Sequence, residues 1–286
     1  MTSHLPLAGL AVLVTRPQPS AEAWAQKLKA KGAQPLIAPM MELLPIDDPN
    51  GRRAIKQRIL DFDRYHKAIF VSQNAVAHGL DWLEAYWPQL PMGIDYFAVG
   101  QSTARALEDH GLRVMALQNT GAMNSEALLE APELDAEAVK HQRIVIFRGR
   151  GGRGILGQVL GERGAQVDYC ELYHRQLPPQ APEQLLSASR QQVSSPLVVA
   201  LHSGEALDNY TRTLSRLPPG EPGLNRLRQA RLLVPSDRLA DQASALGYRW
   251  LIRAENATDD AMEAALCAAL NQTSLFSSDG IHDRDR

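Results

Sequence analysis

Polar residues that could bind an anion recur directly after short apolar runs in this sequence. Their hydroxyl, guanidinium and backbone N–H groups are the usual hydrogen-bond donors to anions. They stand at Thr15-Arg16-Pro17, Ser72-Gln73-Asn74, Gly100-Gln101-Ser102-Thr103, Arg148 to Gly154, His202-Ser203-Gly204 and Pro235-Ser236-Asp237-Arg238. Each apolar run is a candidate strand before a candidate helix. The polar groups are therefore expected at the carboxyl edge of a parallel sheet, where ligands bind in open α/β folds.

Each hydroxyl at these places also has a simpler interpretation as a helix N-cap. Serine and threonine accept a hydrogen bond from a backbone N–H in the first turn of a helix, and this needs no ligand. The candidates are Ser72, Thr103, Ser203 and Ser236. Taken singly, each of these residues is better explained as a helix cap than as a ligand contact. Their concentration at the same edge in both halves of the chain favours a binding site.

A glycine-rich turn suggests a nucleotide as an alternative ligand. The segment Gly149-Arg150-Gly151-Gly152-Arg153-Gly154 matches the dinucleotide pattern G-x-G-x-x-G between a strand and a helix, and Glu171 follows about 20 residues later. Two observations count against this function. The equivalent turn in the first half, Arg16 to Ser20, contains no glycine, and a dinucleotide fingerprint normally opens its domain.

The remaining residues that could do chemistry form no recognised motif. The histidines lack the spacing of a metal site, and the sequence has neither a G-x-S-x-G elbow nor a phosphate-binding Walker A loop. His202 is a candidate for ligand contact because it follows an apolar run. Cys170 and Cys267 are too few for a disulfide framework or a thiolate metal site.

The composition is that of a globular protein with two domains of ordinary size. The chain has 286 residues, of which 44% are hydrophobic and 22% charged. A formal net charge of −2 argues against nucleic-acid binding, which usually needs a basic face. The sequence has neither a signal peptide nor an apolar stretch long enough for a membrane span. We therefore expect a cytoplasmic protein that binds neither nucleic acid nor membrane.

One strand–helix–strand pattern is written twice in the chain. Apolar runs at residues 10–15 and 35–38 flank a helical pattern, and runs at residues 144–147 and 167–170 flank another. The two copies align without a gap, so that Arg16 falls on Arg148 and Gly32-Ala33-Gln34 on Gly164-Ala165-Gln166. Such internal repetition is a strong indication of duplicated architecture.

A second pair of repeats completes two five-stranded units. The runs at residues 68–72 and 96–100, each before a helix, match the runs at 199–203 and 232–236, and both continue into a further strand and helix. This content predicts an α/β fold with two flavodoxin-like parallel sheets. The periodicity alone leaves open whether the repeats are sequential domains or whether the first strand–helix–strand joins the last three strands.

The order of these motifs resembles the uroporphyrinogen-III synthase family from about residue 10 to 270. The resemblance is carried by Val14-Thr15-Arg16-Pro17, Gly32, Pro39, Phe70-Val71-Ser72-Gln73-Asn74-Ala75-Val76, Ala98-Val99-Gly100-Gln101-Ser102-Thr103-Ala104, Phe147-Arg148-Gly149, Gly164-Ala165 and Leu172-Tyr173. It implies interleaved domains around a cleft. Residues 1–40 would join 180–272, and residues 46–172 would form the other domain. Residues 41–45 and 173–179 would be extended hinge linkers, and 273–286 a disordered tail.

The resemblance also implies a reaction and its residues. The family closes hydroxymethylbilane into uroporphyrinogen III with inversion of ring D and loss of water, without metal or cofactor. Tyr173 matches the tyrosine regarded in the family as the acid, and the alternative role of this residue is that of a hinge aromatic that packs and orients without donating a proton. The substrate would be bound by the strand-end residues Arg16, Ser72, Gln73, Asn74, Gly100, Gln101, Ser102, Thr103, Arg148, Gly149, Arg153, His202, Ser203, Ser236 and Arg238. We further expect a monomer that receives its substrate from hydroxymethylbilane synthase.

Two departures from the family pattern lie in the second half of the chain. Asp237-Arg238-Leu239-Ala240 stands where a Ser/Thr pair is usual, so Arg238 would replace a hydroxyl contact, and His202 stands where threonine is common. Besides the nucleotide-dependent enzyme, a non-catalytic two-domain protein that closes on a small anion is the other alternative.

Overall fold

The structure is a computed structural model that describes residues 5–115, 125–152, 154–191 and 196–271. The predicted tail at 273–286 and the candidate Arg153 lie outside these residues. The chain forms two compact units. Unit 1 comprises residues 1–42 and 176–286, and unit 2 comprises residues 43–175.

Strands and helices alternate along most of the chain. The strands are β1 (Ala11–Val14), β2 (Gln34–Ile37), β3 (Glu42–Pro45), β4 (Lys67–Phe70), β5 (Asp95–Ala98), β6 (Arg143–Gly149), β7 (Gln166–Gln176), β8 (Leu197–Ala200), β9 (Arg231–Val234) and β10 (Leu251–Arg253). The helices are α1 (Ser20–Ala30), α2 (Pro49–Leu60), α3 (Gln73–Tyr86), α4 (Gln101–Asp109), α5 (Ser125–Leu128), α6 (Ala136–Val139), α7 (Ile155–Glu162), α8 (Ala181–Arg190), α9 (Gly204–Arg216), α10 (Leu224–Gln229), α11 (Asp237–Ala245) and α12 (Asp259–Asn271). Short 3₁₀ turns lie at Phe62–Arg64 and Pro132–Leu134.

The sheet of unit 1 has the strand order β10-β9-β8-β1-β2, and all its pairings are parallel. Renumbered within the unit, this is the flavodoxin-like order 2-1-3-4-5. Alternate residues of the central strand β1 point to opposite faces. Leu13 packs in one hydrophobic core, and Val12 and Val14 pack in the other. Burial of both faces explains why this strand is a continuous apolar run.

The sheet of unit 2 repeats this arrangement in the order β3-β7-β6-β4-β5. Strands β4, β5, β6 and β7 pair in parallel, and Val114 forms a parallel bridge to Tyr96 beyond β5. Here β6 takes the place of β1 and β7 that of β2, which is the equivalence found in the sequence. The predicted fold class is confirmed, and the first strand–helix–strand joins the last three strands in one sheet.

The stretches predicted as extended hinge linkers contain paired strands in the structure. Residues 42–45 form β3 at the edge of the unit 2 sheet, and β7 runs on to Gln176 instead of ending at residue 172. The Ile46 N–H donates to the Leu172 carbonyl at 3.0 Å. The extended backbone expected at 41–45 and 173–179 is thus partly paired in a sheet, and the sequence pattern does not reveal a pairing partner distant in sequence.

Two chemical features of the described residues bear on function. None of the helices in the described part of the chain is long and apolar enough to cross a membrane. Among the same residues, no group of three or more histidine, cysteine, aspartate or glutamate side chains is placed to hold a metal ion.

Candidate functional site

The carboxyl ends of β4, β5, β6 and β7 place one group of predicted site residues at the same edge of the unit 2 sheet. We call Ser72, Gly100, Arg148, Gly149 and Tyr173 the unit 2 rim. The first turns of the following helices begin here and expose Gln73, Asn74, Gln101 and Ser102. This edge therefore presents amide and hydroxyl donors together with the positive ends of two helices.

Ser72 is the N-cap of α3. Its backbone is extended, with φ −166° and ψ 161°, and its Oγ accepts a hydrogen bond from the Ala75 N–H at 3.1 Å. The same Oγ lies 3.0 Å from the phenolic oxygen of Tyr173. The capping interpretation of Ser72 is therefore correct, and the cap is also tied to the predicted catalytic tyrosine.

Tyr173 is held rigidly within unit 2. Its side chain has no exposed surface, and its ring centroid lies 5.4 Å from that of His78. Its carbonyl accepts a hydrogen bond from the Arg150 N–H at 2.7 Å. The sequence predicted a tyrosine available to substrate, whereas the structure buries the whole side chain and leaves the half-buried Ser72 nearer to solvent.

The glycine-rich turn is shaped by contacts inside unit 2. A Cβ added at Gly149 would lie 2.5 Å from Cε2 of Tyr173, and one at Gly152 would lie 2.6 Å from a guanidinium nitrogen of Arg148. Gly149 is thus required by the ring of Tyr173, whereas the guanidinium near Gly152 is the end of a flexible side chain that can shift. Glu171, which would bind a ribose in the dinucleotide pattern, lies 3.7 Å from the Arg150 guanidinium.

Arg148 is buried at the end of β6, with 6% of its surface exposed. Its guanidinium stacks over the Tyr169 ring at 4.8 Å, and its Nε donates to the Gly149 carbonyl at 3.1 Å. Arg148, which was predicted to bind a substrate carboxylate, therefore lies inside the unit with its guanidinium against an aromatic face.

The turn after β5 differs from the serine caps. Gly100 is the N-cap of α4 and has φ 90°, a left-handed conformation that favours glycine. Thr103 is the third residue of that helix, and its side chain is buried. The interpretation of Thr103 as the cap was wrong, because a glycine three residues earlier already begins the helix.

A second edge, in unit 1, carries the other predicted residues. We call Thr15, Arg16, His202, Ser203 and Ser236 the unit 1 rim. They follow β1, β8 and β9, which are adjacent parallel strands. Thr15 is buried and its Oγ1 donates to the Ala200 carbonyl at 2.6 Å, so it joins the ends of β1 and β8.

Arg16 is bound by other groups of unit 1. Its guanidinium pairs with the Asp259 carboxylate, donates to the Ala257 carbonyl at 2.9 Å and lies over the Trp24 ring at 5.0 Å. Only 16% of the side chain is exposed. Arg16, which was predicted to bind a substrate carboxylate, is therefore paired with a carboxylate of the protein itself.

His202 is a buried histidine beside this pair. Both ring nitrogens are buried and have no hydrogen-bond partner among the described residues, and the ring meets the edge of Trp24 at 5.0 Å. Burial, followed by the positive charge of Arg16, lowers the pKa of His202 to about 3. The imidazole is thus neutral at the pH of a cell and offers one N–H donor and one acceptor nitrogen.

This histidine predicts a pH dependence of stability. In the unfolded chain His202 binds a proton with a pKa of about 6.5, whereas in the folded protein its pKa is about 3. Protons therefore bind preferentially to the unfolded state as the pH falls below 6.5, and the free energy of unfolding decreases. In His202→Gln, the free energy of unfolding should fall less between pH 6.5 and pH 5, by about 1.5 kcal/mol. Urea denaturation at each pH measures this. Parallel curves for the two proteins across that interval would contradict it.

Ser203 and Ser236 repeat the geometry of Ser72. Ser203 caps α9 with φ −154° and ψ 160°, and Ser236 caps α11 with φ −166° and ψ 158°. Each Oγ accepts a backbone N–H three residues on, at 3.2 and 3.3 Å. Arg238 is exposed in the first turn of α11 and makes no hydrogen bond or ion pair with the part of the chain that the structure describes. Arg238 is therefore a predicted site arginine whose guanidinium is available to bind an anion.

Comparison with known proteins assigns the chain to a family. The family model for uroporphyrinogen-III synthase HemD matches residues 22–264. The chain belongs to the uroporphyrinogen-III synthase family. It is 34% identical over 264 residues to the uroporphyrinogen-III synthase of Escherichia coli (strain K12), covering 90% of this chain and 100% of that protein. It is 34% identical over 260 residues to the synthase of Salmonella typhimurium (strain LT2), with the same coverage.

Solved structures of synthases share the fold. A mutant uroporphyrinogen III synthase from the extremely thermophilic bacterium Thermus thermophilus aligns over 93% of this chain and 100% of its own, with a TM-score of 0.55 and 17% identity. The synthetase from Helicobacter pylori 26695 covers 92% of this chain and 98% of its own, with a TM-score of 0.56 and 16% identity. Membership of the synthase family makes this chain a cyclising lyase of tetrapyrrole biosynthesis.

Several residues that shape the rims were not found from the sequence. Asp259 pairs with Arg16, and His78 packs on Tyr173. Glu263 accepts a hydrogen bond from the indole N–H of Trp24 at 3.0 Å. In the sequence, Glu263 had no feature that distinguished it from other polar residues of a helix. The four-residue spacing of Asp259 and Glu263 places both carboxylates on one face of α12, but the sequence does not show that this face meets Arg16 and Trp24.

Proposed function

We propose that this chain closes hydroxymethylbilane to uroporphyrinogen III, inverting ring D and releasing water. The observation that carries the proposal is the family-model match, which extends from residue 22 to residue 264 and so includes most of both rims. The candidate residues that the structure describes follow strand ends, at one edge of each sheet.

The substrate carries acetate and propionate carboxylates, which need hydrogen-bond donors. The first turns of α3 and α4 in unit 2 and of α9 and α11 in unit 1 offer backbone N–H groups, supplemented by Gln73, Asn74 and Gln101. We assign carboxylate binding mainly to these groups and to the exposed Arg238. Arg148 contributes positive potential from a buried position, whereas the charge of Arg16 is compensated by Asp259.

The reaction has two demands beyond binding. The hydroxyl group on ring A must leave, which gives an electrophilic azafulvene. Ring D must then be attacked at its substituted carbon, forming a spiro intermediate that fragments and recloses with ring D inverted. A hydroxyl donor assists the first step, and we assign it to the Ser72–Tyr173 pair of the unit 2 rim. Orientation of ring D governs the second.

The proportion of porphyrin isomers tests this function. Hydroxymethylbilane closes unaided to the unrearranged isomer I, because its free ring-D position is the easier one to attack. With the purified protein, and without added metal or nucleotide, we expect mainly isomer III, since only the bound transition state directs attack to the substituted carbon. Oxidation to porphyrins and chromatographic separation give the ratio. Dominance of isomer I at every concentration of folded protein would refute the function.

We further propose that the enzyme is a cytoplasmic monomer that receives its substrate directly from hydroxymethylbilane synthase. The two cysteines are free thiols, as a reducing compartment requires. The sedimentation coefficient of the protein alone tests the monomer. Its change on addition of hydroxymethylbilane synthase tests whether the two enzymes bind each other for the hand-over. A stable dimer at micromolar concentration would contradict the first.

A further inference from the structure

We propose that Ser72 is the hydroxyl that touches the departing oxygen of the substrate, and that the buried Tyr173 acts only through Ser72. This inference rests on the proposed function and divides the roles within the Ser72–Tyr173 pair. Tyr173 is on this view a positioning residue and proton source, and Ser72 is the catalytic residue.

The hydrogen-bond count of the pair fixes the direction of each O–H. The phenol of Tyr173 has no exposed surface, and Ser72 Oγ is its hydrogen-bond partner among the described residues. A buried donor without an acceptor costs about 1–3 kcal/mol, so Tyr173 donates to Ser72. Ser72 Oγ also accepts from the Ala75 N–H. A hydroxyl has two acceptor lone pairs and one hydrogen, so both lone pairs are filled and the Ser72 hydrogen is left to point outward.

The surroundings of Tyr173 prevent it from reaching the substrate itself. Its ring packs on Gly149 so closely that a Cβ there would lie 2.5 Å away. Its backbone is fixed by the Arg150 N–H, and the strand that carries it pairs with β6 from Gln166 to Tyr173. Ser72 is half-buried and follows the end of β4, where ligands of such sheets bind.

The proton and electron balance of the step is complete with these two groups. The C–O bond on ring A breaks as the pyrrole nitrogen lone pair forms the exocyclic double bond. The Ser72 proton joins the leaving oxygen to make water, and the Tyr173 proton replaces it on Ser72. After ring closure, the pyrrole loses the proton from the newly bonded carbon, and that proton returns through Ser72 to Tyr173. One proton is given and one is recovered, so no other reactant is needed.

A double-mutant cycle tests the division of roles. Tyr173→Phe and Ser72→Ala should each lower kcat on the order of 10²-fold, with KM changed less than about threefold. The double variant should be no worse than Ser72→Ala alone, within about threefold, because Tyr173 has no path to the substrate without Ser72. Ser72→Thr keeps the hydroxyl and the cap and should recover most of kcat.

Two results would overturn the proposal. A double variant in which the losses multiply, to about 10⁴-fold, would mean that Tyr173 acts on the substrate directly. A loss of less than about fivefold in either single variant would mean that the pair is only structural.

Asp135→Ala is the matched control for loss of a cap, because Asp135 caps α6 in the same unit. It should lower stability by about 1 kcal/mol and leave kcat unchanged. Failure of the wild type to form isomer III would instead refute the proposed function.

Discussion

Replacement of Gly149 by alanine is expected to lower kcat on the order of 10²-fold and to destabilise unit 2 by about 1–3 kcal/mol. The new Cβ would lie 2.5 Å from Cε2 of Tyr173, a distance that neither group can tolerate. The tyrosine is fully buried and cannot move outward without displacing its neighbours. Its phenol would leave its position 3.0 Å from Ser72. Steady-state kinetics and urea denaturation of Gly149→Ala measure the two effects.

The matched control lies in the same turn. Gly154 has φ −87° and open space around the position of a Cβ, so Gly154→Ala should change kcat less than about twofold. A phosphate-binding turn would need both glycines, since the last glycine of the dinucleotide pattern allows close helix packing. Equal losses in the two variants would therefore contradict our explanation of the turn by its internal contacts.

The largest loss of stability is expected for Trp24→Ala, about 3–5 kcal/mol. Trp24 is fully buried in unit 1, where its indole N–H donates to Glu263 at 3.0 Å and its ring contacts Arg16 and His202. The alanine variant would leave a cavity and remove a donor from a carboxylate that is only 2% exposed. Urea denaturation followed by circular dichroism measures the loss.

Trp24→Phe separates the two contributions. Phenylalanine keeps much of the aromatic volume and removes only the N–H, so we expect a loss of about 1–3 kcal/mol. If Trp24→Ala itself cost less than about 1 kcal/mol, unit 1 would not depend on this core.

The fold could be predicted because the spacing of hydrophobic residues and the internal repeats can be read directly from the sequence. The run that became β1 is apolar throughout because both faces of its sheet are covered, and its copy at β6 has the same cause. The predicted strands extended about two residues too far at Ser72 and Ser236, because these serines begin helices as caps. Sequence patterns place element ends less accurately than elements.

The site was predicted by residue type, but the burial of its members was not. Arg16 and Asp259 are far apart in sequence, so their pairing could not be read from spacing. The partners of Arg148 and Tyr173 depend on how β6 and β7 lie side by side in register. Serine caps depend only on residues three positions apart, and those interpretations of Ser72, Ser203 and Ser236 were correct.

The strand order of unit 1 also governs how the protein is made. Strand β1 pairs with β8, and Thr15 bonds to Ala200, so two neighbouring strands of this sheet emerge from the ribosome 185 residues apart. At about 5–20 residues per second, the segment from β1 to β2 waits on the order of 10 s for β8. Unit 2 is contiguous in the chain, from residue 43 to 175, and can fold during that interval. Until β8 is made, the nascent chain thus carries an apolar strand–helix–strand whose first strand lacks one of its two sheet neighbours, and such unpaired strand edges are the surfaces that make folding intermediates prone to aggregation.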